Sequence, residues 1–163
     1  MKLTLAKLRD HAAGYFELKM FDDALRAAEE LLKESPDDEV GLAVKTAIMW
    51  DRGRLAEAEP CLAKLAEHHP NNAGLWINLA YLRRRTRSLD AAVETLQRAF
   101  EADPKDALAH FNMACYRAVQ NRPREALELL KNAIALNPKL KALARTEEDL
   151  ASLRELPEFK KIV

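Results

Sequence analysis

The sequence predicts an all-α solenoid: four tandem helix–turn–helix units closed by a C-terminal capping helix. Two observations carry that reading. Prolines recur at Pro36, Pro70, Pro104 and Pro138, each 34 residues after the last, and several apolar columns keep the same step. A repeat of that length marks stacked supersecondary units. Within each step, apolar residues return every three or four positions, as they do on a helix with one buried face. The 163-residue chain is 48% hydrophobic and 32% charged, ordinary for a folded domain, and its length predicts a single domain over residues 1–163.

The units fall at residues 5–38, 39–72, 73–106 and 107–140, with the cap at 141–163. The third unit shows the shorter period best. Leu75, Leu79 and Leu82 recur at helical spacing, a polar break spans residues 83–88, and Leu89, Ala92, Val93, Leu96, Ala99 and Phe100 resume the period. The proline of each unit marks the passage to the next, because it lacks the amide hydrogen a helix interior needs and restrains the residue before it. Gly53 supplies a turn where a left-handed backbone costs little. The column Ala24, Ala58, Ala92 and Ala126 reads as the close-contact point between the two helices of each unit. Leu8, Leu42, Leu79 and Met113 then fill the space around it. Pro60 is expected at the end of the first turn of a second helix, and Pro123 at a first helical position, where proline is favoured. In the cap, Ala142, Leu143, Thr146, Leu150, Leu153 and Leu156 suit one helix, with a break between Ala144 and Asp149 as the alternative. Pro157 is expected to end it, and Phe159 and Ile162 to form an apolar tail. Such a segment covers the last apolar face of a solenoid.

Composition excludes several classes. With 26 basic and 26 acidic side chains the formal net charge is zero, which gives no support to a nucleic-acid binder. No apolar run approaches the length of a membrane span. The N-terminal stretch is interrupted by Lys7, Arg9 and Asp10 too early for a signal peptide, so a cytoplasmic location is the default expectation. His11, His68, His69 and His110 lack metal-ligand spacing, and Cys61 and Cys115 are too few for a disulfide scaffold or thiolate site. Cys61 reads as a buried small hydrophobe, whereas Cys115 has a position from which it can reach a groove. The pairs Asp22–Asp23 and Asp37–Asp38 begin helices, where carboxylates meet free amide donors. No cofactor, metal or catalytic group is therefore expected.

The stretch AGLWINLAYLRRRTRSLDAAVETLQRAFEADPKD resembles a tetratricopeptide repeat through Trp76, Leu79, Ala80, Leu89, Ala92, Leu96, Ala99 and Pro104. The other units share the pattern: Met113, Ala114, Ala126, Leu130, Ala133 and Pro138 in the fourth; Leu42, Gly53, Ala58, Leu62, Leu65 and Pro70 in the second; Leu8, Ala12, Tyr15, Ala24, Ala28, Leu31 and Pro36 in the first. There are departures. The aromatic near the end of the first helix is Tyr15 in the first unit but Met49, Arg83 and Arg117 in the others. Thr46 stands at a small-residue crossing, and His110 at a first-position aromatic.

The resemblance implies a right-handed superhelix whose first helices line a concave face that binds a peptide segment or a partner helix without catalysis. It places Arg9, Phe16, Trp50, Ile77, Asn78, Tyr81, Arg84, Phe111, Asn112 and Cys115 on that face. Asn78 and Asn112 are one period apart. Their amides could pair with a peptide backbone, or they could bond the preceding helix or water. The family's clamp for a terminal carboxylate is not expected, because its positions hold Ala43, Val44, Gly74 and Leu108. Part of the C-terminal segment folding back into the groove is a further alternative.

The zero net charge conceals a gradient, with residues 1–38, 39–72, 73–106 and 107–140 at −3, −1, +1 and +3 and the cap neutral. A field of that kind can orient a dipolar partner or favour head-to-tail self-association; scattered solvated charge is the plain alternative. Arg83, Arg84, Arg85 and Arg87 suit a helix C-terminus, with an acidic protein, and after it nucleic acid, as the alternative partners. The expected function is a non-catalytic protein-interaction scaffold. Its rivals are a self-assembling structural protein and an accessory subunit of an enzyme complex. No membrane or nucleic-acid partner is expected.

Overall fold

The computed structural model describes residues 3–163. It is all-helical, with no strand among the described residues. Four helix–turn–helix pairs follow one another: α1 (Leu5–Glu17) with α2 (Phe21–Glu34), α3 (Glu39–Asp51) with α4 (Leu55–His68), α5 (Ala73–Thr86) with α6 (Leu89–Ala102), and α7 (Ala107–Val119) with α8 (Pro123–Leu136). A short helical segment completes the chain: α9 (Leu140–Thr146), a 3₁₀ turn (Glu148–Leu153) and α10 (Pro157–Ile162). The chain is organised in two compact units, one running to His69 and holding α1–α4, the other running from Pro70 to Val163.

The 34-residue step governs where helices begin and end. The first helix of each pair is capped by Thr4, Asp38, Asn72 and Asp106, four residues one period apart. Each side-chain oxygen accepts a hydrogen bond from a first-turn amide, as Asp106 does from Ala109 at 2.8 Å. The second helices begin at Phe21, Leu55, Leu89 and Pro123, again in phase. Of these only α6 has a side-chain cap, Ser88, whose Oγ accepts from the Ala91 amide at 3.1 Å.

Three of the four first helices close on a residue in the left-handed region: Lys19 (φ 59°), Gly53 (φ 70°) and Asn121 (φ 58°). The next amide reaches back to a carbonyl five residues earlier, as Arg54 does to Met49 at 2.8 Å, which satisfies a helix-end acceptor. The fourth member of the column, Arg87, has φ −129°, because α5 continues one residue further into the turn. Glycine is the least strained occupant of this turn. Lys19→Gly is therefore expected to raise stability in urea melts by about 0.5–1 kcal/mol. The same change at Arg87 is expected to lower it, since no left-handed strain is relieved there.

The interior is built as the repeat predicts. Ala24, Ala58, Ala92 and Ala126 are fully buried, and Leu8, Leu42, Leu79 and Met113 are buried with them. Gly41 marks the crossing of α2 and α3; a Cβ there would lie 2.9 Å from Leu32 Cγ. Thr46 is buried with its hydroxyl lacking a hydrogen-bond partner. In the second unit Trp76 Nε1 donates to the Pro70 carbonyl at 2.9 Å, and one period later His110 Nε2 stands 3.0 Å from the Pro104 carbonyl. A carbonyl can only accept, so that imidazole nitrogen carries the hydrogen. The departure at His110 thus preserves the tie between first helix and repeat proline.

Two expectations need correction. Helix α4 starts at Leu55, so Pro60 is its sixth residue, past the first turn. There it has no N–H to offer the Ala56 carbonyl, and its ring lies on the exposed side. Pro157 does not end a helix; it begins α10, at the first helical position where a missing N–H is harmless. The cap is a broken segment, as in the alternative reading with a break between Ala144 and Asp149. Glu147 interrupts it with an extended backbone (φ −65°, ψ 118°) and caps the 3₁₀ turn that follows.

Candidate functional site

In the second unit, the first helices α5 and α7 bound a cavity of about 370 Å³. From α5 come Tyr81, Arg84 and Arg85. From α7 come Phe111, Asn112, Cys115 and Tyr116, and the C-terminal segment supplies Leu143, Glu147 and Asp149. Helical geometry explains the grouping: residues three, four and seven apart share a face, and Tyr81 with Arg84, or Phe111 with Cys115, obey that spacing.

Arg84 is the centre of the site. Both terminal nitrogens donate to the Asp149 carboxylate, with Nη2 2.7 Å from Oδ1 and Nη1 bonded to Oδ2. The guanidinium lies 5.2 Å from the Tyr116 ring centroid, a cation–π contact that helps fix its plane. Bidentate pairing stabilises the cation, so the Arg84 pKa is raised, chiefly through its bond to Asp149. The neighbouring Arg85 is exposed and lies 5.7 Å from the Tyr81 ring centroid. Burial pushes the Tyr116 hydroxyl up to about 12, against the lowering effect of Arg84. Burial likewise drives the Cys115 thiol far up, and the charges of Glu147 and Asp149 add to it. A thiol held neutral in this way is no nucleophile.

The C-terminal turn is held in place independently of Asp149. Leu150 and Leu153 are buried, and the turn packs on α7. The Glu147 side chain accepts from the Asp149 amide at 3.4 Å, and its carbonyl accepts from Arg154 Nη2 at 2.9 Å.

Of the residues assigned to a recognition face, Tyr81, Arg84, Phe111, Asn112 and Cys115 are brought together here. Phe111 and Cys115 are almost wholly buried, so they shape the floor and offer little surface. Ile77 is also buried, and Asn78, on the same helix, is exposed. The other three lie in the first unit. Arg9 donates from Nε to Asp38 at 2.5 Å, the Phe16 ring rests 5.7 Å from that of Phe21, and Trp50 is half-buried near the end of α3. Sequence reasoning had not placed Asp149 or Glu147 at a site. Their trace in the sequence is a charge match between the basic end of α5 and the run Glu147-Glu148-Asp149. Among the described residues, no group of three His, Cys, Asp or Glu could hold a metal ion, and no helix is long and apolar enough to cross a membrane.

Comparison with known proteins agrees with this architecture. A tetratricopeptide repeat family model matches residues 49–112. A crystal structure of MamA superposes with a TM-score of 0.77 at 20% identity, covering 93% of this chain and 89% of that one. A MamA fragment from Desulfovibrio magneticus RS-1 gives 0.70 at 18% identity, covering 83% and 77%. The mouse mitochondrial import receptor subunit TOM70 is 24% identical over 134 residues, 82% of this chain and 21% of that protein. The human protein IFIT1 homolog B is 32% identical over 107 residues, 63% of this chain and 22% of that protein. The chain spans about a fifth of the length of these curated relatives. Residues 49–112 are thus similar to a tetratricopeptide repeat, and the fold is similar to that of the MamA structures. That fold is an all-helical array of tandem helix–turn–helix pairs, shared with the MamA structures.

Proposed function

We propose that the protein is a non-catalytic interaction module that takes a peptide segment or a partner helix on the faces of its first helices. The observation that carries this reading is the α5–α7 face, where a mixed polar and apolar cavity already accommodates residues of a short helical turn. In the second unit the proposed contacts are Asn78, Tyr81, Arg84 and Asn112, over a floor of Ile77, Phe111 and Cys115. In the first unit they are Arg9, Phe16 and Trp50. Asn78 and Asn112 are assigned to the partner's backbone, which each amide can meet as both donor and acceptor. A cytoplasmic location belongs to the same reading and fits two free thiols, Cys61 and Cys115.

The test is capture of partners from a lysate of the source organism on the wild-type protein and on an Asn78→Ala, Asn112→Ala variant. Quantitative mass spectrometry compares the eluates, and titration follows with the protein retained. Loss of two neutral hydrogen-bonding groups is expected to weaken binding by about tenfold, with a urea midpoint close to that of wild type. An unchanged dissociation constant would remove the asparagines from the site, and identical eluates would overturn the reading.

A further inference from the structure

We propose that Arg84 is the receptor for a carboxylate side chain on an acidic segment of the protein partner, and that Asp149 is an internal occupant which this carboxylate displaces. The inference rests on the α5–α7 face being the partner site and specifies the chemistry recognised there. The wall that the repeat helices contribute carries two cations, Arg84 and Arg85, and no acidic group. Both carboxylates of the cavity, Glu147 and Asp149, come from the C-terminal segment. The repeat face by itself is therefore a basic and aromatic surface, and the segment lying against it is its acidic complement.

Three features make Asp149 replaceable. Its pairing with Arg84 spans 65 residues of chain, so no local geometry requires it. The turn that carries it is anchored by Leu150 and Leu153, so the carboxylate can swing away while the turn stays docked. The cavity beside Arg84 opens to Arg85, whose exposed guanidinium makes no ion pair among the described residues, so an entering carboxylate meets a second cation. A guanidinium fork binds carboxylates in one planar, bidentate arrangement, and the Tyr116 ring stacked on Arg84 holds that fork in place. While Asp149 fills the fork, only the open fraction of molecules binds an outside ligand at full strength, and the apparent affinity falls accordingly.

The probe is the acidic segment that the pocket is seen to hold: a fluorescein-labelled peptide of residues 146–156, TEEDLASLREL. Its control carries Glu147→Gln, Glu148→Gln and Asp149→Asn. Fluorescence anisotropy follows both peptides with wild type, Asp149→Asn, and the Asp149→Asn, Arg84→Gln double variant, each shown folded by circular dichroism. The acidic peptide is expected to bind Asp149→Asn about tenfold more tightly than wild type, to lose that gain in the double variant, and to weaken with added salt. The control peptide is expected not to bind. If Arg84→Gln does not fold, Arg84→Lys takes its place; it retains the charge, removes the fork and is expected to bind more weakly than arginine.

Equal affinity for wild type and Asp149→Asn would overturn the proposal, as would binding that survives loss of Arg84 or no binding of the acidic peptide to any folded protein. Dimerisation of wild type in sedimentation runs, abolished by Asp149→Asn, would make a second copy of this chain the occupant and equally overturn it. Failure here is distinguishable from failure of the underlying reading. A captured partner that depends on Asn78 and Asn112 but ignores Asp149→Asn leaves the interaction module standing and removes the acidic specificity.

Discussion

Ala92→Trp is expected to destabilise the protein by about 3 kcal/mol, among the larger effects of overpacking a core. Ala92 is fully buried in α6, the helix that packs on α5, and Leu79, Ala80 and Leu82 of α5 are fully buried too. Indole adds a bicyclic ring where there is space for a methyl group, and fully buried, close-packed neighbours leave no free volume to take it up. The helices must separate, and each increment of separation removes contacts along their length. With a urea slope of about 2 kcal/mol per molar, the midpoint is expected to fall by roughly 1.5 M. Ala135→Trp is the control. Ala135 is exposed on α8, and surface substitutions usually stay within about 0.5 kcal/mol. Equal midpoints for Ala92→Trp and wild type would mean that this column does not mark the helix crossing. A loss as large in Ala135→Trp would mean that tryptophan itself, and not its site, is responsible.

What the sequence discloses is whatever repeats in residue type. The columns Phe21–Leu55–Leu89–Pro123 and Ala24–Ala58–Ala92–Ala126 become, respectively, the first residues of the second helices and fully buried positions. The caps Thr4, Asp38, Asn72 and Asp106 repeat just as strictly. They share a chemistry, an oxygen that accepts an amide proton, and not an identity, so a search for apolar columns passes over all four, and only Asp38 is noticed, as one of an acidic pair. The recognition face is less legible. Ile77, Phe111 and Cys115 lie at positions that can face a partner, yet they are buried. The C-terminal turn that packs on α7 is not a repeat, so the 34-residue period carries no information about where it lies. The Arg84–Asp149 pair belongs to the same gap. A contact between residues 65 apart follows from the return path of the chain, and no local spacing encodes that path. Arg9 carries a second tie that its sequence position does not reveal. Its helix position suggests an outward-facing binding group, and its half-exposed guanidinium also bonds the cap of α3.

Asp38→Ala is expected to cost about 2–3 kcal/mol, because one carboxylate does two jobs. Oδ1 accepts from the amides of Val40 at 3.1 Å and Gly41 at 3.2 Å, closing the N-terminus of α3, while Oδ2 accepts from Arg9 Nε on α1. The Asp38 side chain is 2% exposed and that of Arg9 46%. Losing the carboxylate therefore strands buried amides, whereas the guanidinium can turn to water. That asymmetry orders the variants. Asp38→Asn retains an oxygen for the cap and weakens only the charge-assisted contact, so about 1 kcal/mol is expected. Arg9→Gln leaves the cap intact and is expected to cost less than about 1 kcal/mol, as half-exposed ion pairs do. In a double-mutant cycle on urea melts, the coupling between Asp38→Ala and Arg9→Gln should be a minor share of the loss at Asp38. If Arg9→Gln proves as costly as Asp38→Ala, the α1–α3 tie outweighs the cap. Arg9 would then be a structural residue of the first unit, and the partner face there would be reduced to Phe16 and Trp50.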